Sequence, residues 1–438
     1  MSQNSSLIIK NGNCFINGEF KDQDILIENG KIKTIGKVSH LNSSNVYDAT
    51  GQTVIPGVID TQVHFREPGS NDAENLESGS RAAVFGGVTS VFEMPNTDPP
   101  TINLKEFNKK LNLAKNRMFC NYAFYFGATP DNAKELNLID TLEGCCGIKL
   151  FVGSSTGNLL VSEEKDIEKV ISNSKKIVSI HSEDENILLS RKKLIKNNDV
   201  NSHLIWRNEE CAIESTKRVV RIAQKHKKKI HILHVSTKQE IDFFSEKRSN
   251  VSFEITPQHL TLYAPECYEK LKTFAQMNPP IRTKDHYEKL WHAVNSSLVS
   301  IIGSDHAPHT KEEKNKNYPS SPSGMPGVQT LLPIMLNHVN NNKLKFKQLI
   351  ELVCENPCKI FGIKNKGYIK EGYDADLTII NMKKETILKN DWIQSKCGWT
   401  PFNNYKIKGF PVATIVNGEI IMANNKILSR ALGKPLTF

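Results

Sequence analysis

The sequence predicts an α/β protein, a closed (β/α)₈ barrel of parallel strands joined to a small β-sandwich made from both chain ends. Three observations predict it. Short β-like runs separated by Asn-Gly turns fill the N-terminal stretch, and the same grammar returns near the C-terminus. Between these ends, eight apolar runs alternate with longer stretches in which polar and apolar positions mix at helical spacing.

At the N-terminus, Ser6–Lys10 leads to Asn11-Gly12, Cys14–Ile16 to Asn17-Gly18, and Asp24–Glu28 to Asn29-Gly30. Asn-Gly favours the left-handed backbone that two-residue hairpins require, so these runs predict a small antiparallel sheet. Distally, Tyr373–Asn381 reads as a strand, and Val412–Asn417, Gly418 and Glu419–Met422 read as a hairpin. Neither end can bury a sheet face alone, which predicts one composite domain from residues 1–54 and 365–438 around a barrel at 55–364. The eight barrel strands are expected at Val54–His64, Val88–Asn96, Asn121–Thr129, Gly147–Gly153, Ile177–Asp184, Lys229–Thr237, Val251–Leu260 and Val299–His309. Helices are expected at Glu77–Phe85, Leu104–Asn116, Glu210–His226 and Lys284–Asn295. Strands alternating with helices eight times over point to closure.

The 438 residues suit one large barrel plus a smaller domain. No apolar run reaches the ~20 residues that span a bilayer. The start, MSQNSSLIIKNGN, lacks a basic and apolar leader, so the cytoplasm is the expected compartment. The net charge of +10 comes from scattered lysines rather than one basic face, which argues against nucleic acid and suits an anionic small molecule. Nine cysteines without Cys-x-x-Cys pairs read as reduced, mostly buried thiols.

The strand ends carry residues that a buried barrel would not need. The first closes on Gln62, His64 and Arg66, the second on Glu93 and Asn96, and the fourth holds Lys149. The fifth ends at His181-Ser182-Glu183-Asp184, the sixth has His234, and the eighth ends Asp305-His306-Ala307-Pro308-His309. Barrel enzymes place their chemistry on this rim. One buried histidine is usually a hydrogen-bonded core residue, but departures at corresponding ends of successive strands form a set. Imidazole and carboxylate are ligands for divalent zinc, manganese or cobalt. A charged lysine there is costly, and its conversion to a carbamate by carbon dioxide is permitted, though spacing does not show it.

The segments VIPGVIDTQVHFREPG, EMPNTDPP, GIKLF, IHSEDE, ILHVST, QMNPPIR, GSDHAPHTKEEK and GYDADLTIIN resemble, in order, the class I dihydroorotases of the amidohydrolase superfamily. The resemblance implies reversible hydrolysis of the cyclic amide of L-dihydroorotate to N-carbamoyl-L-aspartate in pyrimidine biosynthesis. It implies one or two Zn²⁺ ions, with His64 and Asp305 on one, His181 and His234 on the other, and a carboxylated Lys149 between them. Asp305 would carry the proton. Arg66, Asn96 and His309 would clamp the substrate carboxylate, Asn278 would contact the ring, and Ser323-Gly324 would bring backbone donors from a mobile loop over Thr310–Pro326. An ion pair of Arg66 with Glu67 or Glu93, and a turn-capping role for Asn278, are the structural rivals. A homodimer and an association with aspartate carbamoyltransferase are open by family analogy alone.

One departure matters. The family's first strand presents His-x-His, and here Gln62-Val63-His64 stands. Either one metal is held firmly at His181, His234 and Lys149, or Gln62 uses its amide oxygen and a weaker pair survives. Gln258 and Gln329 replace residues that in the family are often His and Glu. Gly153-Ser154-Ser155 stand where some members carry a bridging Asp, which favours Lys149 as the bridge. The rival functions are another cyclic-amide hydrolase (hydantoinase, dihydropyrimidinase or allantoinase) and a non-catalytic subunit that scaffolds the carbamoyltransferase.

Overall fold

The computed structural model describes residues 6–38, 45–155, 157–246 and 250–438. Eight parallel strands form one sheet in chain order: Val58–Val63, Val88–Glu93, Asn121–Gly127, Cys145–Phe151, Val178–His181, Ile230–Ile232, Val251–Ile255 and Ile301–Ile302. Each has an expected counterpart in the sequence. The fourth keeps its expected length but starts two residues earlier, and the others are shorter, chiefly because their C-terminal residues leave the ladder to form the rim.

The sheet closes through a narrow seam. The eighth strand has two residues, and past it Val63 and His306 form a parallel bridge to the first. There His64 N–H donates to His306 O at 2.7 Å, and His306 N–H donates to Gln62 O at 3.3 Å. The Asp60 carboxylate ties the seam lower down, accepting from Ser304 N–H at 2.9 Å and Gln62 N–H at 3.2 Å. Ile59, Phe92, Ala123, Tyr125, Cys146 and Ile301 come from five of the strands, Leu233 follows the sixth, and all share one buried cluster, closed by Phe361 and Leu436. Apolar side chains thus fill this part of the barrel interior around a buried polar network in which Glu254 Oε2 accepts from Thr61 Oγ1 at 2.8 Å and lies 3.1 Å from His231 Nε2.

The helices fall where periodicity placed them, at Leu76–Phe85, Leu104–Ala114, Glu209–Lys225 and Lys284–Asn295. Asn75, Asn103 and Asn208 cap the first three, each side chain accepting a backbone N–H of the first turn. Their buried faces, such as Val219, Val220, Ile222 and Ala223 of the longest, join the large core between helices and strands.

Both termini form a second, nine-stranded sheet. Its order is Lys426–Ile427, Glu419–Ala423, Lys406–Val416, Leu377–Ile387, Thr53–Pro56, Ser6–Ile16, Glu19–Glu28 and Lys31–Gly36, with Val46–Asp48 also paired to Ser6–Ile16. The expected sandwich is one hydrogen-bonded sheet that curls on itself. Its two arms meet where Ala375 N–H donates to Gly30 O and Gly418 N–H donates to Ala375 O, over a shared core that includes Leu7, Ile27, Leu377 and Ile415. Asn17-Gly18 and Asn29-Gly30 are hairpin turns, with φ of 53°, 83°, 51° and 77°. Asn11-Gly12 is not a turn. Ser6–Ile16 is one strand with a bulge there, and Asn11 N–H donates to Asp24 Oδ1 at 2.9 Å.

Val54–His64, expected as one strand, is two. Thr53–Pro56 belongs to the terminal sheet and Val58–Val63 to the barrel, with Gly57 at the crossing. A Cβ at Gly57 would lie 2.2 Å from Thr89 Oγ1, so no side chain fits between the layers. The distal GYDADL segment supplies the other tie. Asp376 pairs with Lys366, and accepts from Asn121 Nδ2 of the third barrel strand at 2.9 Å and Asn417 N–H at 2.7 Å. All nine cysteines are buried and unpaired. No helix among the described residues is long and apolar enough to cross a membrane.

Asp376→Ala leaves the Lys366 ammonium buried beside Asp374 alone and removes the bond to the barrel. Denaturant unfolding is expected to lose about 3–5 kcal/mol. A change within experimental error would show that the two sheets do not depend on this carboxylate.

Candidate active site

Gln62 and every residue that the resemblance assigns to metal or substrate except His309 line one pocket at the C-terminal end of the barrel, and Phe151, Ser155 and Ala307 line it as well. His309 lies in an adjoining, wider cleft that shares Arg66 and Asn96 with the pocket. The two spaces meet at Arg66, where His309 Nε2 stands 3.3 Å from Nη2.

The strand ends deliver two convergent pairs. His181 closes the fifth strand, and its Nδ1 lies 3.0 Å from His234 Nε2, two residues beyond the sixth. Across the pocket, His64 Nε2 lies 3.4 Å from Asp305 Oδ1, while His64 Nδ1 donates to Asn96 Oδ1 at 2.8 Å. Gln62 Nε2 donates to the same Asp305 oxygen at 2.8 Å. Three of the pocket residues, Arg66, His234 and Asp305, have left-handed backbones, with φ of 63°, 37° and 44°. Such strain in residues with side chains concentrates where geometry serves a site.

Lys149 sits within the fourth strand, 1% exposed, with Nζ unpartnered and 4.2 Å from the Phe151 ring centroid. Burial pushes its amine down to about 7, with Asp305 and Glu254 opposing the shift. It acts electrostatically on His64, His181, His234 and Asp305 alike, so it stands among both pairs. Burial also lowers the three imidazoles, His64 to about 4, and so favours the neutral form that ligates a cation. For Asp305 burial works in the opposite sense, but the His64 contact and the positive neighbours outweigh it and hold the carboxyl well below its usual range.

The chemistry of this donor set fits a divalent cation. Lys149 Nζ and His234 Nδ1 are buried polar atoms without a partner. Among the described residues no three His, Cys, Asp or Glu side chains converge at ligand spacing. The pairs are two by two, and a carbamate on Lys149 is the group that would complete each.

Sequence reasoning missed what holds His181. Its Nε2 lies 2.9 Å from Glu183 Oε2, and Arg207 contacts that carboxylate through Nη2 at 2.7 Å and Nε at 3.2 Å. Burial alone would raise the Glu183 carboxyl, but Arg207 and His181 outweigh it and keep it far below its usual range. Glu183 stood in the IHSEDE motif and could have been found. Arg207 is distant in sequence and carries no local signal.

Neither carboxylate suspected of pairing with Arg66 does so. Glu67 pairs with Arg117 at 2.8 Å, and Glu93 pairs with Lys110. Arg66 instead donates through Nε to Pro308 O at 3.1 Å. Asn278 is held by His203, whose Nε2 lies 3.0 Å from Oδ1, and its Nδ2 reaches Ser155 Oγ at 3.5 Å. The Thr310–Pro326 segment, expected as a mobile loop, is tied down. Buried Lys314 donates to Gln276 O and Pro322 O, and Gly324 N–H is spent on Gln276 O at 2.9 Å. Gln258 donates to Ser304 O beside the site, whereas Gln329 bonds Trp392 O and lies outside the pocket.

Residues 53–421 match the amidohydrolase family. The chain belongs to the amidohydrolase family. This amidohydrolase is 35% identical to a dihydroorotase of Methanosarcina acetivorans, covering 96% of this chain and 92% of that one. It is 34% identical to a dihydroorotase of Pyrococcus furiosus over 93% and 91% of the two chains. Among solved structures it resembles an L-hydantoinase (dihydropyrimidinase) from Arthrobacter aurescens, with a TM-score of 0.93, 27% identity and 99% of each chain covered.

Glu183→Gln removes the charge behind His181, and Arg207→Met removes the charge behind Glu183. Each is expected to weaken divalent-metal binding roughly 10–100-fold, measured by chelator competition. Unchanged affinity in both variants would reduce the pair to packing.

Proposed function

We propose that this protein is a dihydroorotase, which hydrolyses the cyclic amide of L-dihydroorotate to N-carbamoyl-L-aspartate and closes the ring in reverse. The observation that carries the substrate is Arg66, a buried guanidinium on the pocket wall with no carboxylate of the protein paired to it among the described residues. A guanidinium fork suits a carboxylate, and the substrate supplies the missing anion. Asn96 and His309 flank the same place, and Asn278, fixed by His203, faces the ring.

His181, His234 and carboxylated Lys149 are the residues we assign to a Zn²⁺ ion, with His64 and Asp305 opposite. Such an ion, when bound, acidifies a water and polarises the amide carbonyl. The buried Lys149 amine is the nucleophile for carbon dioxide, and carboxylation turns an unpaired ammonium into an anion that the site can pair. Asp305 takes the proton of the attacking water as the new C–O bond forms. It returns that proton to the ring nitrogen as the C–N bond breaks, giving the ureido NH2, and the second proton of the water is released to solvent as the new carboxyl group ionises. In the biosynthetic direction Asp305 accepts the ureido proton first. Neutral His64, whose Nδ1 proton goes to Asn96, turns its bare Nε2 toward Asp305 at 3.4 Å.

A purely scaffolding role fits this pocket poorly. Retaining Lys149 buried and unpartnered beside neutral histidines has a folding cost that only a ligand offsets. The hydantoinase reading, favoured by the likeness in shape, does not need Arg66.

Turnover of dihydroorotate and of hydantoin separates the two. The native protein is expected to prefer dihydroorotate. Arg66→Lys should raise KM for dihydroorotate at least tenfold while leaving hydantoin hydrolysis nearly unchanged, the loss of a bidentate charged contact being worth roughly 1.5–3 kcal/mol. Asp305→Asn should lower kcat by about 10²–10⁴. Preference for hydantoin in the native protein would overturn the substrate assignment.

A further inference from the structure

We propose that this chain holds one divalent cation rather than two, at His181, His234 and Lys149, and that Gln62 serves as a hydrogen-bond donor that positions Asp305 instead of as a ligand. The inference rests on the metal-dependent reading above and goes beyond it by fixing the number of ions and the role of Gln62.

The two sides of the pocket offer different donor groups. On one side, His181 Nε2 faces Glu183, which places the ring proton there and leaves Nδ1 bare. That nitrogen stands 3.0 Å from His234 Nε2. Lys149 Nζ, in the same pocket, has no partner. These groups make three protein ligands, the number that holds a catalytic zinc and leaves a fourth position open. For the ion to bind, the hydrogen that His234 Nε2 donates to His181 Nδ1 has only to move to His234 Nδ1, which has no partner.

On the other side the Asp305 oxygen is engaged, and the acceptor left without a partner is the amide oxygen of Gln62. Asp305 Oδ1, the oxygen that faces His64, accepts the Gln62 amide N–H at 2.8 Å. A cation seated between His64 and Asp305 would meet that N–H hydrogen. Turning the amide over would set Gln62 Oε1 against Asp305 Oδ1, two acceptors in contact with no hydrogen between them. A neutral amide oxygen repays this repulsion weakly, because it is a poor zinc donor beside imidazole and carboxylate. Without Gln62, a second ion would have only His64 and Asp305 of its own. The same N–H bond gives Gln62 a task. It fixes the Asp305 carboxylate at a strand end where the backbone already bends at a φ of 44°.

The test is metal content per chain by mass spectrometry, after loading the full-length protein with excess Zn²⁺ and bicarbonate and removing the excess by gel filtration. The native protein is expected to keep one equivalent, Gln62→His close to two, and Gln62→Leu one. His64→Ala should retain its ion and His181→Ala should lose it. Circular dichroism reports folding, and His64→Asn and His181→Asn replace any variant that unfolds. For Gln62→Leu, kcat should fall about tenfold or more with KM little changed, because the proton-carrying group is misplaced while the carboxylate clamp is intact. Two equivalents in the native protein, loss of the ion in Gln62→Leu, or loss in the His64 variant with retention in the His181 variant would each overturn the proposal. Substrate turnover is read in parallel. One ion with hydantoin preferred would sink the substrate assignment and leave the one-ion site standing, whereas two ions with dihydroorotate preferred would do the reverse.

Discussion

The closure of the barrel between its first and eighth strands is the constraint on which the site depends. Ile301–Ile302 contributes two ladder residues, so the seam is made by Asp60, by the exchange of bonds among Gln62, His64 and His306, and by the Val63–His306 bridge. Parallel strands that fail to close leave unpaired backbone at two edges. Here the closing bonds fall one residue from Asp305 and on either side of Gln62, and so the act of closing the sheet brings His64, Gln62 and Asp305 within hydrogen-bond range. The fold and half of the site share the same few bonds.

The other half depends on charge arranged in a dry interior. A charge inside the barrel has to be paired or neutralised. Glu183 and Arg207 pair completely, and the pair fixes which nitrogen of His181 faces the pocket. Glu93 and Lys110 pair as well, which removes one rival partner for Arg66. Arg66 and Lys149 are left without such partners, and these are the groups that the substrate carboxylate and carbon dioxide would complete. In this pocket, unsatisfied polarity marks where ligands belong.

The segments after the eighth strand are part of the site's frame. Trp399 Nε1 donates to His309 O at 2.8 Å, and Ser395 bonds Glu74, which in turn faces His306 Nε2 at 3.3 Å. The chain from the terminal sheet thus grips the loop that carries His309. Lys314 and Gln276 hold the rest of that loop from beneath. The pocket wall next to the carboxylate clamp is therefore built by three distant parts of the chain, and the Asp376 tie on the opposite face of the barrel holds the same terminal sheet in register.

The sequence by itself determined the alternation of strands and helices, the rim residues and their order, because periodicity and buried polar residues at strand ends are local signals. It also nominated Gln62 as the odd member of the set. It did not determine where strands stop, since Thr53–Pro56 and Val58–Val63 read as one run until Gly57 has to pass Thr89. It read Asn11-Gly12 as a turn, because a bulge and a hairpin use the same left-handed residues and differ only in the partner strand. Tertiary structure decided that Arg66 has no carboxylate partner, that Arg207 stands behind His181, and that Gln62 donates to Asp305. Each of these is a contact between side chains far apart in sequence, and only closure of the barrel sets the distance between them.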